Sequence, residues 1–328
     1  MLDKEKMAEY TKPIENDLVE FNSLLNDHLK GDSPLITSIA KHLMKTRGKR
    51  MRPVFLFLTS HASENFTEHS VEASLAIELI HTATLLHDDV VDESDMRRGQ
   101  ETVNAQWTNL ISVLMGDYMF AKAFRIMVEP NSIELIKAIS YATERVSVGE
   151  LRQIEETGNY DISEEEYLTI ISDKTASLFA VSCETGPILT QKSKTERNQF
   201  SKFGENIGIS FQIADDLLDF VGDVEKTGKE PGNDVLTGKV TLPLIYSLKK
   251  SGKKARQEMI KILEDKEHNQ DYFEKVYNYV YESGGIDYAY KKANELGQRG
   301  LESISKVEES IYYKSLADMV EFTTARVS

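Results

Sequence analysis

Two short acidic motifs in this sequence place aspartates at the same spacing. The first reads HDDVVD and carries Asp88, Asp89 and Asp92, and the second reads ADDLLD. On an α-helix successive residues turn by about 100°, so Asp88 and Asp92 lie about 40° apart and one turn along the axis. Asp89 lies at the edge of the same face. Each motif is therefore expected to point at least two carboxylates in one direction.

The second motif repeats this arrangement with Asp215, Asp216 and Asp219, and Gln212 shares their helix face. Carboxylates held this close repel one another unless a cation lies between them. Ligation by oxygen alone favours hard ions, and Mg²⁺ prefers one or two carboxylates together with waters and substrate phosphates. The alternative is a solvated acidic helix face. Two copies, each preceded by an apolar turn and followed by basic residues, favour a Mg²⁺ site.

Two arginines follow the first motif in the stretch DMRRGQ, where Gly99 indicates that the helix has ended. The guanidinium groups of Arg97 and Arg98 match phosphate oxygens bidentately, which a lysine ammonium cannot do. Salt bridges to Glu93 or Asp95 are the alternative. The sequence therefore places candidate phosphate-binding groups directly after candidate metal ligands.

Further basic residues lie elsewhere in a chain that is acidic overall. The cluster TRGKRMRP runs from Thr46 to Pro53, and a third group consists of Lys174 and the loop lysines Lys229 and Lys239. A lone lysine is commonly a solvated surface residue. Binding of nucleic acid would require more basic clusters than a chain of net charge −15 provides, so a small polyanion is the better partner.

Taken together, these residues predict an enzyme that handles diphosphates through bridging metal ions. Magnesium between carboxylates and a diphosphate neutralises charge and improves the leaving group, so a C–O bond can ionise without attack at phosphorus. No protein nucleophile is needed. The sequence has neither a GxxxxGK[ST] phosphate loop nor a glycine-rich dinucleotide turn, and no recognisable Ser/His/Asp set, which argues against a kinase or an NTPase.

The elements that must position these residues are helices. Apolar residues recur mostly at three- and four-residue spacings, and prolines and glycines are few, 7 and 18 respectively. Because no series of alternating apolar residues supports a sheet, the sequence predicts an all-α fold. The extended loop signal runs from Lys226 to Pro243. We expect long helices over residues 73–92, 111–128, 133–154, 164–189 and 198–221.

Composition sets the remaining limits. The chain has 328 residues, of which 40% are hydrophobic, so it can bury a sizeable core. Its single cysteine, Cys183, excludes an internal disulfide and is expected to be buried. The first residues lack the apolar stretch of a signal peptide, and no run approaches the roughly 20 apolar residues of a membrane-spanning helix. We therefore expect a cytoplasmic protein.

A series of motifs gives the chain a resemblance to the trans-polyprenyl diphosphate synthases. In that family's order and spacing they are GKRMRP, HDDVVDESDMRRG, MGDYMFAKAF, GELRQ, DKTASLF, FQIADDLLDF and TGKEPGNDVLTGKVTLPLIY, and the resemblance covers about residues 48–248. The resemblance implies one all-α domain over residues 1–328, an isoprenoid-synthase helical bundle around a central cavity. It also implies a homodimer that joins isopentenyl diphosphate head to tail to an allylic diphosphate. Transient contact with a membrane surface stays open.

The resemblance also implies roles for individual residues. Six aspartates would surround three Mg²⁺ ions, with Asp88, Asp92 and Asp215 as direct ligands and Asp89, Asp216 and Asp219 in support. The allylic diphosphate would be held by Arg97, Lys174, Thr175, Gln212, Lys229 and Lys239. Isopentenyl diphosphate would be held by Lys49, Arg52, His81 and Arg98. The residues expected to be catalytic are Asp88, Asp92, Asp215, Lys174 and Lys229.

Two small residues bear on product length. In the family, bulky residues four and five positions before the first aspartate block the pocket of the growing chain, and here those positions hold Thr84 and Ala83. Small side chains imply a product longer than C15. On helical geometry Thr84 lies near the aspartate stripe, whereas Ala83 points away from Asp88, so its role rests on the resemblance alone.

Two rival interpretations remain. A class I terpene cyclase also ionises an allylic diphosphate with a DDxxD helix, but its second metal motif normally mixes Asn, Ser or Thr with Glu, whereas Asp215 to Asp219 reads DDLLD. A regulatory subunit of a two-component synthase would be expected to carry degraded motifs. Both motifs are intact here, so the synthase is the favoured interpretation.

Overall fold

The structure is a computed structural model that describes residues 2–31, 33–45, 48–221, 232–265 and 271–324. These residues are almost entirely helical, which confirms the predicted all-α class. The elements up to the first aspartate motif are α1 (Leu2–Thr11), a 3-10 turn (Lys12–Ile14), α2 (Glu15–Leu29), α3 (Pro34–Lys45), α4 (Met51–Ala62) and α5 (Ser70–Val91).

A two-stranded hairpin follows α5 and holds the only strands among the described residues. It pairs β1 (Met96–Arg97) with β2 (Gln100–Glu101) in antiparallel register. The central section continues with α6 (Val103–Gln106), α7 (Asn109–Met127), α8 (Ile133–Glu155), α9 (Glu164–Ile171), a π-turn (Ser172–Ala176), α10 (Ser177–Leu189) and α11 (Lys194–Val221). The last elements are α12 (Asn233–Leu236), α13 (Leu242–Lys250), α14 (Lys253–Glu264), α15 (Tyr272–Ser283), α16 (Gly285–Ser303) and α17 (Ile311–Thr324).

Residue contacts divide the chain into two compact units. The first unit comprises Met1–Thr143, Leu178–Gly204 and Ser303–Met319, and the second comprises Glu144–Ser177, Glu205–Glu302 and Val320–Ser328. The first aspartate motif belongs to the first unit and the second motif to the second. One domain over residues 1–328 stays a prediction.

The core of the first unit is aromatic. Phe55 packs edge to face on Phe179 and Phe203, with ring centroids 5.9 and 6.0 Å apart, and all three rings are fully buried. Such pairs add about 0.5–1.5 kcal/mol to the free energy gained from burial alone. Cys183 is completely buried, and burial raises the pKa of its thiol above the ordinary value. The predicted burial of this residue is therefore confirmed.

The core of the second unit is built mainly from aliphatic residues of α9, α11 and the helices that follow. Ile213 and Leu217 of α11 are fully buried in one cluster with Val276 and Val280 of α15. Because residues 213 and 217 lie one turn apart on a helix, their apolar stripe fixes the rotation of α11 about its axis. That rotation determines where the intervening aspartates point.

Most predicted helices are confirmed within a few residues of their expected ends. The segment predicted as one helix over residues 164–189 is instead two helices separated by the π-turn. Within the described ranges, no helix is both long enough and apolar enough to cross a membrane.

Candidate active site

The first aspartate motif lies at the carboxyl end of α5. Asp92 caps this helix, and Ser94 N–H donates to the carbonyl of Asp89 (2.9 Å) while Glu93 N–H donates to that of Val90 (3.3 Å). These two bonds form a Schellman motif, in which Glu93 takes the left-handed conformation usually given to glycine (φ 49°). The negative end of the helix dipole lies here and the last turn of α5 has no basic residue, so the clustered carboxylates favour an added cation.

The three aspartates of this motif differ in exposure. Asp88 is half-buried and Asp92 is exposed, whereas Asp89 is buried at 4% exposure. Asp89 Oδ1 accepts a charge-assisted hydrogen bond from Arg97 Nε at 2.8 Å. From the sequence, the expected partners of Arg97 were phosphate, Glu93 or Asp95. The observed partner is Asp89 of the first motif. Arg97 is thus fixed beside the motif.

The hairpin after α5 brings Arg98 onto the basic cluster that precedes α4. Arg98 and Gly99 form the two-residue turn, and both have positive φ (53° and 73°), as a type I′ turn requires. A Cβ on Gly48 would lie 2.5 Å from Arg98 Nη1, so the guanidinium packs closely against the Gly48 backbone. The structure therefore joins two sequence motifs that are 50 residues apart.

Arg52, His81 and Arg98 lie close enough to influence one another's pKa. Burial, followed by the charges of Arg52 and Arg98, lowers the pKa of His81 well below its ordinary value, so the imidazole is neutral at pH 7. Burial also lowers the pKa of Arg52 to about 10, and the Arg52 guanidinium stacks on Phe179 with its central carbon 4.9 Å from the ring centroid. Lys49 is exposed in the segment before α4.

A carboxylate that the sequence did not single out also lies in this basic cluster. Burial raises the pKa of Glu78, while Arg52, Arg50 and Arg98 oppose that shift. Glu78 Oε2 and Arg52 Nε are buried and make no hydrogen bond with the described residues. Buried polar atoms without a partner are rare, and of these two it is the Arg52 N–H, a donor, that suits an anionic ligand.

The second aspartate motif lies in the last two turns of α11. Asp215 is exposed, whereas Asp216 is buried and accepts hydrogen bonds from Tyr167 Oη (2.6 Å) and Gln212 Nε2 (2.8 Å). Burial, with the charge of Asp234, raises the pKa of Asp216 to about 8, although both hydrogen bonds work against the shift. Tyr167 had no role in the sequence interpretation, because a lone tyrosine 49 residues away carries no local signal.

Asp219 holds the start of α12 against the end of α11. Its Oδ1 accepts from Asn233 N–H (3.1 Å) and its Oδ2 from Asp234 N–H (3.0 Å), while its carbonyl accepts from Gly232 N–H (2.8 Å). This is N-terminal helix capping by a carboxylate from a distant segment. Asp219 therefore has a structural role in addition to any support of a metal ion.

The π-turn carries two predicted diphosphate ligands, Lys174 and Thr175. Thr175 is buried and its hydroxyl donates to Gln212 Oε1 at 2.7 Å, so a hydrogen-bonded chain runs from Thr175 through Gln212 to Asp216. Lys174 pairs with Glu150 of α8. Lys174, Thr175 and Gln212, three of the residues predicted to hold the allylic diphosphate, are thus brought together in the second unit.

Of the two loop lysines, the structure describes Lys239 but not Lys229. Lys239 is half-buried, and its backbone N–H donates to the carbonyl of Asp234 at 2.8 Å. The loop is tied to the end of α8 by Gly158 N–H, which donates to the carbonyl of Gly238 at 2.9 Å. Lys229 lies outside the described residues.

The donor chemistry of the two motifs fits a hard divalent cation. Asp92 and Asp215 are exposed and Asp88 is half-buried, and oxygen is the ligand that Mg²⁺ and Ca²⁺ prefer. The other three aspartates are committed to Arg97, to Tyr167 and Gln212, and to the backbone of α12. Among the described residues, no group of three His, Cys, Asp or Glu side chains is arranged so that it could hold a metal ion.

The two predicted chain-length residues occupy different surroundings on α5. Ala83 is completely buried, as its position on the far side of the aspartate stripe predicts. Thr84 is half-buried, and its hydroxyl donates to the carbonyl of His81 at 2.8 Å. A little further along, the His87 ring lies 5.8 Å from the ring of Phe120 on α7.

Comparison with known proteins assigns this arrangement to a family. The model of the polyprenyl synthetase family matches residues 33–280. The all-trans-nonaprenyl-diphosphate synthase (geranyl-diphosphate specific) of Rhodobacter capsulatus is 35% identical over 316 residues, which cover 96% of each chain. The octaprenyl diphosphate synthase of Escherichia coli is 32% identical over 322 residues, 98% of each chain.

A solved structure agrees with this assignment. The crystal structure of polyprenyl synthase from Caulobacter crescentus, complexed with calcium and isoprenyl diphosphate, superimposes with a TM-score of 0.92 at 31% identity, covering 98% of each chain. The chain therefore belongs to the polyprenyl synthetase family. The predicted trans-prenyltransferase activity is confirmed at this level, and the matches do not favour a terpene cyclase.

Proposed function

We propose that this protein condenses isopentenyl diphosphate head to tail with an allylic diphosphate and releases a polyprenyl diphosphate longer than C15. The observation that carries the proposal is the match over 96–98% of the chain to relatives named nonaprenyl and octaprenyl diphosphate synthases. The basic cluster of Arg52, His81 and Arg98 supports it, because a diphosphate needs local positive charge on a protein of net charge −15.

Asp88, Asp92 and Asp215 would hold the metal ions, which we take to be three Mg²⁺. When bound, these ions neutralise the charge of the allylic diphosphate and so make it a better leaving group. Asp89, Asp216 and Asp219 would support the direct ligands through water or charge. The family resemblance and the oxygen-only donor set support this division of roles.

The basic residues form two groups with different substrates. Lys174, Thr175 and Gln212, with Arg97, Lys229 and Lys239, hold the allylic diphosphate, while Lys49, Arg52, His81 and Arg98 hold isopentenyl diphosphate. Neutral His81 can donate one hydrogen bond without adding to the repulsion between the neighbouring arginines. The protein thereby orients the isopentenyl double bond towards the allylic carbon and stabilises the charge that develops there.

Small residues before the first motif support a long product. Thr84 leaves the side of α5 that precedes Asp88 without a bulky group, so a growing chain can extend past it, while the role of Ala83 rests on the family resemblance alone. The names of the two relatives point to the same class of product.

The homodimer that the resemblance implies finds support in an exposed apolar stripe. On α7, Leu110, Leu114 and Phe124 are 68%, 56% and 51% exposed. Residues 114 and 124 each lie about 40° from residue 110 around a helix, on opposite sides of it, so all three share one face. Exposed apolar residues on one helix face mark an interaction surface, and a second copy of α7 is its natural complement.

The proposal is tested by incubating purified protein with Mg²⁺, labelled isopentenyl diphosphate and either geranyl or farnesyl diphosphate, then separating the dephosphorylated products by chromatography. We expect label in prenyl alcohols longer than C15. Release of diphosphate without incorporation of label would instead indicate a diphosphate lyase. Products that stop at C15 would refute the assignment of chain length. If the purified chain is inactive alone, the result would favour the alternative that it is a subunit of a two-component synthase.

A further inference from the structure

We propose that Arg145 of α8 is a positioning residue, which sets Lys174 and Thr175 for the allylic diphosphate by holding the π-turn in shape. The inference rests on the proposed function, because it assumes that Lys174 and Thr175 contact substrate. Arg145 itself touches neither of them. Its action passes through Ser172 and Asp173, the residues of the π-turn that precede them.

The π-turn is a conformation that needs support. Ser177 N–H donates to the carbonyl of Ser172, an i+5 bond, where an uninterrupted α-helix would use i+4 bonds. Such turns are rare in helices and concentrate at functional sites. The extra residue displaces the side chains that follow it, so the π-turn determines the directions in which Lys174 and Thr175 point.

Arg145 binds three side chains around this turn. Its Nε donates to Asp173 Oδ1 (2.8 Å), its Nη2 to Ser172 Oγ (2.8 Å), and both terminal nitrogens donate to Glu205 (2.7 and 3.2 Å). The side chain is only 18% exposed. Burial lowers the pKa of Arg145, but the bonds to Glu205 and Asp173 outweigh burial and raise the pKa overall. The guanidinium thus stays charged between two carboxylates that would otherwise repel each other.

The same side of α8 holds the turn at two further points. Residues 145, 149 and 152 share one helix face, and Arg152 Nη1 donates to Asp173 Oδ2 at 2.9 Å. A Cβ on Gly149 would lie 2.4 Å from the backbone nitrogen of Lys174, so the α8 backbone packs directly on the turn. Glu150, next to Gly149, pairs with the Lys174 ammonium.

The opposite side of the turn leads to the second aspartate motif. Thr175 donates to Gln212, and Gln212 donates to Asp216. A change in the turn would therefore move both diphosphate-binding side chains, Lys174 and Thr175, and disturb the chain of hydrogen bonds to α11. The isopentenyl group, Arg52, His81 and Arg98, belongs to the first unit, whereas the residues of this network belong to the second.

The variants Arg145→Gln and Arg145→Lys separate the effect of the Arg145 charge from the effect of its hydrogen-bonding geometry. Gln removes the cation between Asp173 and Glu205, whereas Lys keeps the charge but loses the fork of parallel hydrogen bonds. Arg197→Gln is the matched control, because Arg197 is 20% exposed and pairs with two carboxylates, Glu134 and Glu184, that have no predicted role in the site. Gly149→Ala provides a second perturbation of the turn without any change of charge.

For Arg145→Gln we expect kcat/KM for the allylic diphosphate to fall about 30-fold, or about 2 kcal/mol at 1.4 kcal/mol per factor of ten, as expected for a lost charged hydrogen bond. The KM for isopentenyl diphosphate should stay within about twofold, because its proposed ligands belong to the first unit. Arg145→Lys should lose less activity, Gly149→Ala should show the same allylic defect, and Arg197→Gln should resemble the parent protein. An equal loss towards both substrates, or none, would overturn the inference.

A second readout does not depend on activity. Hydrogen exchange of the peptide that covers Ser172–Ser177 should accelerate at least about tenfold in Arg145→Gln and Gly149→Ala, since opening of the turn costs less once its support is removed. Arg197→Gln should leave this peptide unchanged. If the parent protein fails the product assay, the proposed function fails while the exchange experiment still reports on the turn. If the parent is active and the peptide is equally protected in all variants, only the present inference is wrong.

Discussion

The aspartates of the two motifs share the same residue type but have different local partners. Asp89 is neutralised by Arg97, Asp216 is buried between Tyr167 and Gln212, and Asp219 caps α12. Asp92 and Asp215 are exposed, and Asp88, like Asp219, is half-buried. The assignment of Asp88, Asp92 and Asp215 as direct ligands comes from the family resemblance and stays a prediction. Spacing places the aspartates on one face, but it cannot show which of them will accept a hydrogen bond from a tyrosine or an arginine.

The residue that most directly tests the product-length assignment is Thr84. Replacing it with Phe is expected to shorten the product, because a ring at this half-buried position blocks extension of the growing chain along α5. The chain-length distribution of labelled products, separated by chromatography after dephosphorylation, is the measurement.

Thr82→Phe is the control for this substitution. Thr82 is also half-buried on α5, but it points about 160° away from Thr84 around the helix axis. Its product distribution should match that of the parent. An unchanged distribution in Thr84→Phe would place the path of the growing chain elsewhere.

At the scale of elements, the helices could be predicted because their apolar periodicity is local. The π-turn could not, since the segment from Glu164 to Leu189 has an uninterrupted helical pattern and the deviation depends on Arg145 and Gly149, about 25 residues earlier. The hairpin at Arg98 was missed for a similar reason. The glycine that follows Arg98 predicted the end of the helix but not the type I′ turn.

The packing of α9 on α16 provides a test with a defined pH dependence. Glu164 accepts hydrogen bonds from Tyr288 Oη (2.7 Å) and Lys292 Nζ (2.6 Å). Burial raises the pKa of Glu164, but these two bonds lower it by more, so its pKa in the folded protein lies below the ordinary 4.5. This carboxylate therefore stabilises the fold above about pH 4.5, and the contribution is lost as the pH falls further.

We expect Glu164→Gln to lower the free energy of unfolding by about 1–2 kcal/mol at pH 7, the cost of weakening charged hydrogen bonds. The midpoint of urea unfolding, followed at pH 7 and at pH 3.5, measures the effect, and the difference from the parent should shrink at the lower pH. The neighbouring exposed Glu165→Gln should change little at either pH. A difference that grows at low pH would contradict the assigned ion pair.

At the scale of the whole molecule, the exposed stripe on α7 makes the oligomeric state testable. Replacing Leu110 and Leu114 with Glu would introduce charges into the proposed homodimer interface, and burial of unpaired charges is costly. We expect the parent protein to sediment as a dimer and the double variant as a monomer at micromolar concentration. Analytical ultracentrifugation measures both.

The control for the interface is Val19→Glu on α2. Val19 is also an apolar residue with high exposure, 63%, but it does not belong to the α7 stripe. This variant should remain a dimer. A monomeric parent protein, or a double variant that still dimerises through an unchanged surface, would refute the proposed use of α7.

The net charge of the protein could be used to predict its class of partner. The positions of its charged residues in the fold could not be predicted from the sequence. A net charge of −15 argues against nucleic acid, and it made the two arginine-rich segments conspicuous. The sequence did not show that Gly48 would let Arg98 pack onto the cluster before α4, or that Glu78 would lie among these arginines. Both facts depend on tertiary contacts between segments that are 20 or more residues apart. Cytoplasmic location stays a prediction.

The central claim is that both aspartate motifs bind the metal ions of one substrate diphosphate. It is tested most directly by titrating Mn²⁺, as a paramagnetic substitute for Mg²⁺, into the protein with an unreactive allylic thiodiphosphate, and counting bound ions by electron paramagnetic resonance. The parent protein should retain three ions, and Asp88→Ala and Asp215→Ala should each lose at least one while still folding. Retention of the same number of ions at the same affinity in both variants would contradict the account.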